Sequence, residues 1–403
     1  MKEQSLTGLR VLDASRVLAG PYCGQALGDL GAQVIKIESP DGDETRSFGP
    51  SVTEGGAAYF QALNRNKRGI VLDMGKPEAR EVFWDLVAQA DVLIENFKAS
   101  TLRSWGVANP LDITARFPSL VHCRITGFGD DGPLGEFPGY DAAVQAASGL
   151  MSVNGLAGGA PLRMGIPVVD LTTGMQATIA VLAALQERAR SGLGQMCDVS
   201  LFDCALSVAH PHLPNYLWSG KEPVRSGNSH PNIAPYDAYT TATCSIYIAV
   251  GNERQFAVLC TELGCPQVSA DPRFRSNIER IRHRIDLDQI LESHLRDHDG
   301  HALAARLQAV GVPAAAVAGI ADVASSPHAV HREMVIEREN YHGSGFPIKM
   351  SRTPSTLRDL PPRQGQHNHE ILKEAGFSTA QIERFEMDGV FGALKEQAKS
   401  AVL

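Results

Sequence analysis

The sequence predicts an α/β protein in which a large domain built on a mostly parallel sheet is followed by a smaller α+β domain. Short β-branched runs alternate with helical stretches over the first hundred residues, and this alternation occurs twice. The composition then shifts at 219–235 to a loop rich in Gly, Ser, Asn and Pro. At 403 residues the chain also exceeds what one hydrophobic core usually serves.

Two βαβ units are predicted near the start of the chain. The first has a strand at 9–15, a helix that begins around Pro21 and runs to Gly31, and a strand at 33–38. The second has a strand at 68–74, a helix at 77–90 that again begins with proline, and a strand at 91–97. Strands joined through a helix are parallel, so both units favour a Rossmann-like sheet.

The middle of the chain continues the same pattern. A strand at 119–125 runs into a glycine-rich loop, helices follow at 141–151 and 167–190, and a strand follows at 196–200. Loops at the ends of parallel strands commonly carry function, so the loop from Gly127 to Gly135 is a candidate part of a site.

Domain limits follow from the loop at 219–235. We expect a large domain at 1–220 that is completed by about 340–403, and a linker with a small domain at 221–339. The small domain should be rich in helices, with strands near 245–250 and 312–318, and the tail should form short helices near His369 and Gln381.

Bulk properties exclude several classes of protein. The net charge of −8 argues against nucleic acid as a partner, because phosphate binding needs a basic surface. The N-terminus has no signal-peptide pattern, and no stretch approaches the roughly 18 apolar residues of a membrane span. Seven cysteines without a CxxC pair indicate reduced thiols. We therefore expect a cytoplasmic protein without a membrane partner.

Two cofactor patterns fail on inspection. Gly24, Gly28 and Gly31 follow the first strand but do not form GxGxxG, so a bound nicotinamide cofactor is not indicated. His294 and His298 are spaced like zinc ligands, but the segment HLRDH has no Glu after the first His and is interpreted as a solvated helix face. The sequence predicts no metal site and no tightly bound cofactor.

An acidic residue opens the long apolar helix at 167–190. Asp170 lies in the segment Gly165–Gly174, where free backbone N–H groups and the helix dipole stabilise a carboxylate. We expect these to hold its pKa at or below the usual value of about 3.9. From residue type alone, a helix N-cap is the ordinary role of such an aspartate.

The segment Phe137–Asp141 enters the preceding helix after the glycine-rich loop. Such a loop can present backbone donors to a carbonyl oxygen, with the Tyr140 hydroxyl as a further polar group. Basic and polar groups beyond strand ends would suit an anionic ligand. They are Arg16, Lys36, Arg46, Arg65, Lys67, Arg68, Asn96 and Arg103.

Together these segments resemble the family III CoA-transferases, also called the CaiB/BaiF family, over nearly the whole chain. That family includes formyl-CoA, carnitine and succinyl-CoA-dependent dicarboxylate CoA-transferases. The resemblance is carried in order by Gly8–Asp13, Arg16–Pro21, Leu30–Glu38, Asn64–Arg68, Glu95–Phe97, Ile125–Gly129, Gly139–Asp141 and the Asp170 helix entry.

The resemblance implies that Asp170 is a nucleophile that attacks an acyl-CoA thioester, with Tyr140 as the second catalytic residue. CoA thioesters are then substrates rather than bound cofactors. The residues implied in CoA binding are Val17, Leu18, Leu72, Asp73, Met74, Asn96, Phe97, Lys98, Arg103, Gly139 and Asp141. The family often has an arginine one place after Arg103, where this chain has Ser104.

The resemblance further implies an interlocked homodimer. The glycine run of formyl-CoA transferases is missing, and Gly227–Pro235 stands at the comparable place, which argues against oxalate and formyl-CoA as substrates. The leading hypothesis is CoA transfer from succinyl-CoA to a small carboxylic acid, a dicarboxylate such as glutarate, itaconate, mesaconate or malate.

Two other functions stay open. The related α-methylacyl-CoA racemases abstract an α-proton with a His where this chain has Tyr140, and tyrosine is a poor general base because its ordinary pKa is about 10. An acyl-CoA-binding subunit without catalysis is the other alternative, and it predicts that Asp170 has no role in turnover.

Overall fold

The structure of the protein is a computed structural model that describes residues 3–392. Strands with helices between them form most of the chain. The strands are β1 (Arg10–Asp13), β2 (Gln33–Glu38), β3 (Ser51–Thr53), β4 (Gly56–Ala57), β5 (Lys67–Val71), β6 (Val92–Glu95), β7 (Val121–Thr126), β8 (Met196–Ser200), β9 (Tyr236–Thr240), β10 (Ser245–Ala249), β11 (Ala314–Ala316), β12 (Val335–Arg338) and β13 (Tyr341–Ser344).

Helices connect these strands, together with one 3-10 turn at Glu44–Ser47. The helices are α1 (Ala19–Asp29), α2 (Ala58–Gln61), α3 (Pro77–Val87), α4 (Ala99–Ser104), α5 (Leu111–Arg116), α6 (Asp141–Ala147), α7 (Leu150–Val153), α8 (Val168–Ser191), α9 (Leu201–Ser207), α10 (His212–Ser219), α11 (Glu253–Glu262), α12 (Pro266–Ala270), α13 (Asn277–Arg282), α14 (Arg284–Leu295), α15 (Gly300–Ala309), α16 (Ile320–Ala324), α17 (Pro327–His331), α18 (Asn368–Glu374) and α19 (Thr379–Met387).

The described chain divides into two units. Unit 1 contains residues 3–148, 164–208 and 328–392, and unit 2 contains residues 149–163 and 209–327. The domain limits expected from the sequence, 1–220, 221–339 and 340–403, stay a prediction. The observed division differs from them in assigning the short segment 149–163 to unit 2.

Unit 1 is built on a six-stranded sheet in the order β5-β2-β1-β6-β7-β8, in which every neighbouring pair is parallel. Leu12 of β1 lies opposite Ile35 of β2 on one side and Leu93 of β6 on the other. The chain therefore moves outward from β1 in one direction and from β6 in the other. Such a reversal opens a crevice at the carboxyl ends of the two central strands. The predicted α/β class is confirmed.

The strands of the unit 1 sheet are largely buried because helices cover them. Val92, Leu93 and Ile94 of β6 are almost fully buried. Buried side chains of α3 pack in the same apolar cluster as Ile371 of α18 and Ile382 of α19. The C-terminal helices α18 and α19 therefore pack in the same unit as the N-terminal strands.

Helix α8 lies unusually close to α1. A Cβ atom on Gly174 would come within 2.6 Å of the Ala19 carbonyl oxygen, so only glycine permits this approach. By length and composition α8 would suffice to cross a membrane, which corrects our expectation that no segment approaches a span. In the fold it packs against α1, α9 and the strands β7 and β8.

Unit 2 contains an antiparallel sheet in the order β11-β10-β9, with α11, α14 and α15 packed around it. Two of its strands were expected, but β9 was missed because Tyr239 is its only buried side chain and no apolar alternation marks it. The segment HLRDH is not one helix face, since α14 ends at Leu295 and α15 begins at Gly300.

The predicted helix at 141–151 is wrong in its second half. Helix α6 ends at Ala147, and Gly149 adopts a left-handed conformation with φ of 83° before α7 begins. A left-handed residue cannot continue a right-handed helix, so the chain turns there.

Candidate active site

Two neighbouring cavities of unit 1 lie at the carboxyl edge of the six-stranded sheet. The first, of about 210 Å³, is lined by the loops after β1, β6 and β7 and by the start of α8. The second, of about 390 Å³, is lined by residues that follow β1, β2 and β6 and by α4. Both use Arg16, Asn96, Phe97 and Lys98, so they share one wall at the crevice. We call them the first and second cavities.

Most of the predicted site residues lie in these walls. The first cavity is lined by Val17, Leu18, Asn96, Phe97, Lys98, Gly139, Tyr140 and Asp170, and the second also by Met74. Leu72 is fully buried in the sheet core. Asp73, Arg103 and Asp141 line neither cavity.

Asn96 joins the ends of the two central strands. Its Oδ1 accepts a hydrogen bond from the Arg16 backbone N–H at 3.1 Å, and its Nδ2 donates to the Arg16 carbonyl oxygen at 2.9 Å. An amide side chain can satisfy both backbone groups of one residue in this way, which a carboxylate cannot do. Asn96 thus fixes the loop after β1 where it enters both cavities.

Val17, the next residue after Arg16, adopts a left-handed conformation, with φ of 71°. A β-branched residue is rarely found there because its Cβ substituents clash with the backbone. Its backbone N–H lies 3.4 Å from Asp43 Oδ1, and the Asn96 contacts hold the preceding residue. The conformation is therefore imposed by its neighbours, and strain of this kind clusters at ligand sites.

A mostly buried charge network connects the loops that line the first cavity. The Arg124 guanidinium binds both oxygens of Asp130 at 2.6 Å and Glu95 Oε1 at 2.8 Å. His122 Nε2 lies 3.0 Å from the same Glu95 oxygen, and Glu95 Oε2 accepts from the Phe97 N–H. Sequence reasoning missed this network, although two basic residues inside the buried strand VHCRIT were a signal for it.

Asp170 lies in the first turn of α8, mostly buried and facing the first cavity. The N–H groups at this helix start are already used. Asp141 Oδ2 accepts from the backbone N–H of Val169 at 2.8 Å and of Asp170 at 3.2 Å. Asp141 therefore caps α8 from the start of α6, and the Asp170 carboxyl group is left to face the cavity.

The expected low pKa of Asp170 is wrong. Burial, and then the negative charge of Asp141, raise its pKa to about 7. We expected the N–H groups at the helix start to stabilise the Asp170 carboxylate, but Asp141 accepts hydrogen bonds from two of them and adds a like charge beside Asp170. A carboxyl group in this position is ionised in only part of the molecules at neutral pH.

Gln145 is a residue that sequence reasoning missed. Its Nε2 donates to Asp141 Oδ1 at 2.6 Å, and its Oε1 accepts from the Met164 N–H at 2.9 Å. It is fully buried. The i, i+4 spacing of Asp141 and Gln145 on α6 was the available signal. Gln145 ties the Asp141 cap to the segment that leads into α8.

Tyr140 also lines the first cavity and is 58% exposed. Its hydroxyl lies 3.4 Å from Glu44 Oε2. The preceding glycine is required by packing, because a Cβ atom on Gly139 would come within 2.7 Å of the Gly127 Cα atom. The two glycines let the loop after β7 and the entry to α6 touch, which brings Tyr140 to the cavity.

Residues 6–368 match the family described as CoA-transferase family III. The chain belongs to this family. A succinate–glutarate CoA-transferase of Agrobacterium fabrum is 38% identical over 385 residues, which cover 93% of this chain and 96% of that relative. A succinyl-CoA:glutarate CoA-transferase of Mus musculus is 35% identical over 392 residues, which cover 96% and 90%.

A solved structure agrees with this assignment. A CaiB/BaiF family protein from Brucella suis matches with a TM-score of 0.83 and 41% identity, covering 93% of this chain and all of that one. The family resemblance that was predicted from a series of segments along the sequence is confirmed. The enzyme class, a family III CoA-transferase, is confirmed as well. The roles of the individual site residues stay predictions.

Arg103 has a different partner from the one expected in this CoA-transferase. Its guanidinium pairs with both Glu136 oxygens, at 2.7 and 3.0 Å, and both side chains are exposed. A CoA phosphate would have to displace Glu136 to bind there. The pairing accounts for the position of Arg103 without any ligand, and its part in CoA binding stays a prediction.

Four other basic residues that were proposed to contact anionic ligands bind carboxylates of the protein itself. Each forms a buried ion pair, which accounts for these side chains without a ligand, and their contact with an anionic ligand stays a prediction. The pairs are Lys36 with Asp43, Arg46 with Glu38, Arg65 with Asp29 and Lys67 with Asp13. Buried charges of this kind need partners to offset desolvation, and these pairs supply them.

Tyr59 of α2 was also missed. Burial raises its pKa, and the nearby charges of Asp170, Asp141 and Asp43 raise it further. Its proximity to Asp170 had no signal in the sequence, because the two residues lie in separate elements. Within residues 3–392, no group of three or more His, Cys, Asp or Glu side chains could hold a metal ion.

Proposed function

We propose that this family III CoA-transferase moves CoA from succinyl-CoA to a small dicarboxylate, with glutarate as the first acid to test and itaconate, mesaconate and malate next. The observation that carries the proposal is a buried carboxyl group, Asp170, that faces the first cavity and has a pKa of about 7. The choice of succinyl-CoA and glutarate is supported by the activities that the names of the two reported relatives state.

The proposed chemistry begins with attack of an Asp170 carboxylate oxygen on the thioester carbonyl carbon. The new C–O bond forms, the C–S bond breaks, and CoA thiolate leaves a mixed anhydride. The thiolate then attacks the Asp170 carbonyl carbon, which releases the donor acid and leaves an aspartyl-CoA thioester. The acceptor carboxylate repeats both steps in reverse order, so that its own CoA ester leaves and the Asp170 carboxylate returns.

Burial of Asp170 serves this chemistry. Ionised Asp170 is destabilised by burial and by Asp141, as its raised pKa indicates. Formation of the anhydride removes the charge from Asp170, so part of this destabilisation is relieved as the reaction proceeds. A carboxylate of higher pKa is also the stronger nucleophile. Asp141 is a positioning residue, since it holds the backbone of Asp170 and does not line the cavity.

The two cavities suggest where the substrate lies. We place the thioester in the first cavity, with the loop amides near Gly139 and the Tyr140 hydroxyl as donors to the carbonyl oxygen. We place the CoA moiety along Val17, Leu18, Asn96, Phe97 and Lys98 into the second cavity, where Met74 provides an apolar contact. Leu72, Asp73 and Arg103 lie outside both cavities.

The substrate proposal is tested by incubating purified protein with succinyl-CoA and each dicarboxylate in turn. We expect the matching CoA ester and free succinate in equal amounts by mass spectrometry. No new CoA ester with any acid of the panel would remove the proposal. Exchange of the α-proton of a branched acyl-CoA with solvent deuterium, without an acceptor acid, would instead support the racemase alternative. The described residues that line the two cavities include no histidine to serve as its base.

The raised pKa of Asp170 predicts the pH dependence of transfer. Only ionised Asp170 can attack, so kcat/KM should fall as pH decreases, with an apparent pKa near 7. Asp141→Asn removes the negative charge that contributes to the shift and should move this limb to lower pH. Initial rates from pH 5 to 9 measure it. An unchanged limb in Asp141→Asn would contradict the assigned cause, and Asp131→Asn on the exposed loop is the matched control.

We further propose a cytoplasmic homodimer without nucleic acid or membrane partners. The net charge of −8 supports the absence of nucleic acid. Helix α8 leaves Met175 and Ile179 exposed at 48% and 59%, on a face that a second copy could cover. Interlocking of the two chains stays part of this proposal.

A charge on this face should weaken the dimer. We expect Ile179→Glu to shift the molecular mass measured by light scattering toward the monomer, since an unpaired carboxylate would have to be buried in the interface. Ile278→Glu, which changes an exposed isoleucine of α13, is the control. A dimer of unchanged mass and stability in Ile179→Glu would place the interface elsewhere.

A further inference from the structure

Unit 2 contains a cavity of its own, of about 870 Å³, whose wall carries an excess of positive charge. Among its lining residues the charged side chains are Lys221, Arg225, Arg284 and a single carboxylate, Glu222. Two histidines, His212 and His230, also line it. In a chain with a net charge of −8, this local excess indicates an anionic ligand.

Arg284 is held in position but has no counter-ion in contact. Its Nη2 donates to the carbonyl oxygens of His230 at 2.7 Å and Ile233 at 2.8 Å. Within residues 3–392 no carboxylate lies within ion-pair distance of it, whereas Arg280 nearby pairs with Glu253 at 2.5 Å. A half-buried guanidinium with free N–H groups is suited to bind a carboxylate from outside the chain.

His230 is prepared as a hydrogen-bond donor. The Asn232 backbone N–H donates to its Nδ1 at 3.1 Å, so the neutral ring carries its proton on Nε2. Burial lowers the pKa of His230, and the charges of Arg284, His212 and His210 lower it further. The ring is therefore neutral near pH 7, and its Nε2–H has no acceptor among the described residues. Burial lowers the pKa of His212 as well.

Part of the remaining wall of this cavity is apolar. Trp218 is 92% exposed beside Pro214, Pro223 and Val224. An indole ring left in solvent at a cavity mouth can cover the hydrocarbon part of a ligand. The cavity is larger than an acid of four to six carbons needs, so the charged and donor groups would select the ligand rather than its shape.

We propose that this cavity binds a small dicarboxylate, with one carboxylate on Arg284 and the two histidine donors, and the second toward Lys221. The identity of the anion rests on the proposed function, since a dicarboxylate is the acid that the enzyme would exchange. Binding of the anion does not require turnover and can be measured separately.

The test is a calorimetric titration of full-length protein carrying Asp170→Asn, which cannot turn over, with succinate, succinamide and inorganic phosphate. We expect succinate to bind, and Arg284→Met in this background to weaken it about ten-fold or more. The neutral succinamide should not bind, since it lacks the charge that Arg284 recognises. Arg282→Met, which removes an exposed arginine of α13 that pairs with Glu279, should leave succinate affinity unchanged.

Arg284→Met could prevent folding, because Arg284 also donates hydrogen bonds to two backbone carbonyl groups. A second variant keeps the test valid in that case. His212→Phe keeps a ring in place, removes only a donor, and should weaken succinate binding. Unchanged succinate affinity in every folded pocket variant would overturn the proposal, and tighter binding of phosphate than of succinate would overturn the dicarboxylate assignment. Failure of the wild type to make any CoA ester would count against the proposed function alone.

Discussion

Replacement of Asp170 by asparagine is expected to abolish CoA transfer, with a loss in kcat of about 10⁴-fold or more. The change removes the attacking oxygen anion and leaves the volume of the side chain almost unchanged. Asp141 would still bind the backbone N–H groups of Val169 and Asp170, so the start of α8 should keep its position. Initial rates with succinyl-CoA and glutarate measure the effect.

Two controls separate chemistry from folding in this variant. Acyl-CoA binding should stay within a few-fold of the wild type, because the residues at the crevice are unchanged. Asp131→Asn, an equivalent change on an exposed loop of the same unit, should keep full activity. Substantial transfer by folded Asp170→Asn would show that Asp170 is not the nucleophile, whereas the alternative of an acyl-CoA-binding subunit without its own catalysis predicts no transfer by either protein.

The same substitution should stabilise the protein at alkaline pH. The folded pKa of Asp170 is about 7, well above the usual value near 3.9, so the folded state holds a proton that the unfolded state has lost between these values. Wild-type stability therefore falls as pH rises through this window. Above pH 7 the accumulated destabilisation reaches as much as about 4 kcal/mol, and Asp170→Asn removes it.

Unfolding by urea at several pH values checks this result. The difference in unfolding free energy between Asp170→Asn and the wild type should be small near pH 4 and should grow to a plateau above pH 7. Asp131→Asn should show no such growth. A difference that stays constant with pH would mean that the carboxyl group does not titrate as its surroundings require. The expected gain in stability with loss of activity is typical of strained functional sites.

The sheet of unit 1 could be predicted from the sequence because the signals for its strands and helices lie within short stretches of the chain. The strand predicted at 33–38 coincides with β2, and the helix predicted at 77–90 begins at Pro77 as observed. Proline at a helix start and runs of buried β-branched residues act within a few residues of chain, so they can be seen without the fold. The missed strand β9 lacks both signals.

The electrostatics of the site could not be predicted in the same way. Asp141 and Asp170 lie 29 residues apart, and only the fold places one carboxylate over the other's helix N–H groups. The pairing of Arg103 with Glu136 spans 33 residues, and the Lys67 ion pair with Asp13 spans 54. A local pattern identifies a residue that can carry charge, but its partner and its pKa depend on long-range packing.

We expect the Asp170 carboxyl group itself to be acylated during transfer. Hydroxylamine added to enzyme and succinyl-CoA should convert that one carboxyl group to a hydroxamate, which mass spectrometry of the peptide containing Asp170 would detect only when the acyl-CoA is present. A hydroxamate on another carboxyl group, or none on Asp170 while CoA transfer proceeds, would contradict the assignment of Asp170 as the nucleophile.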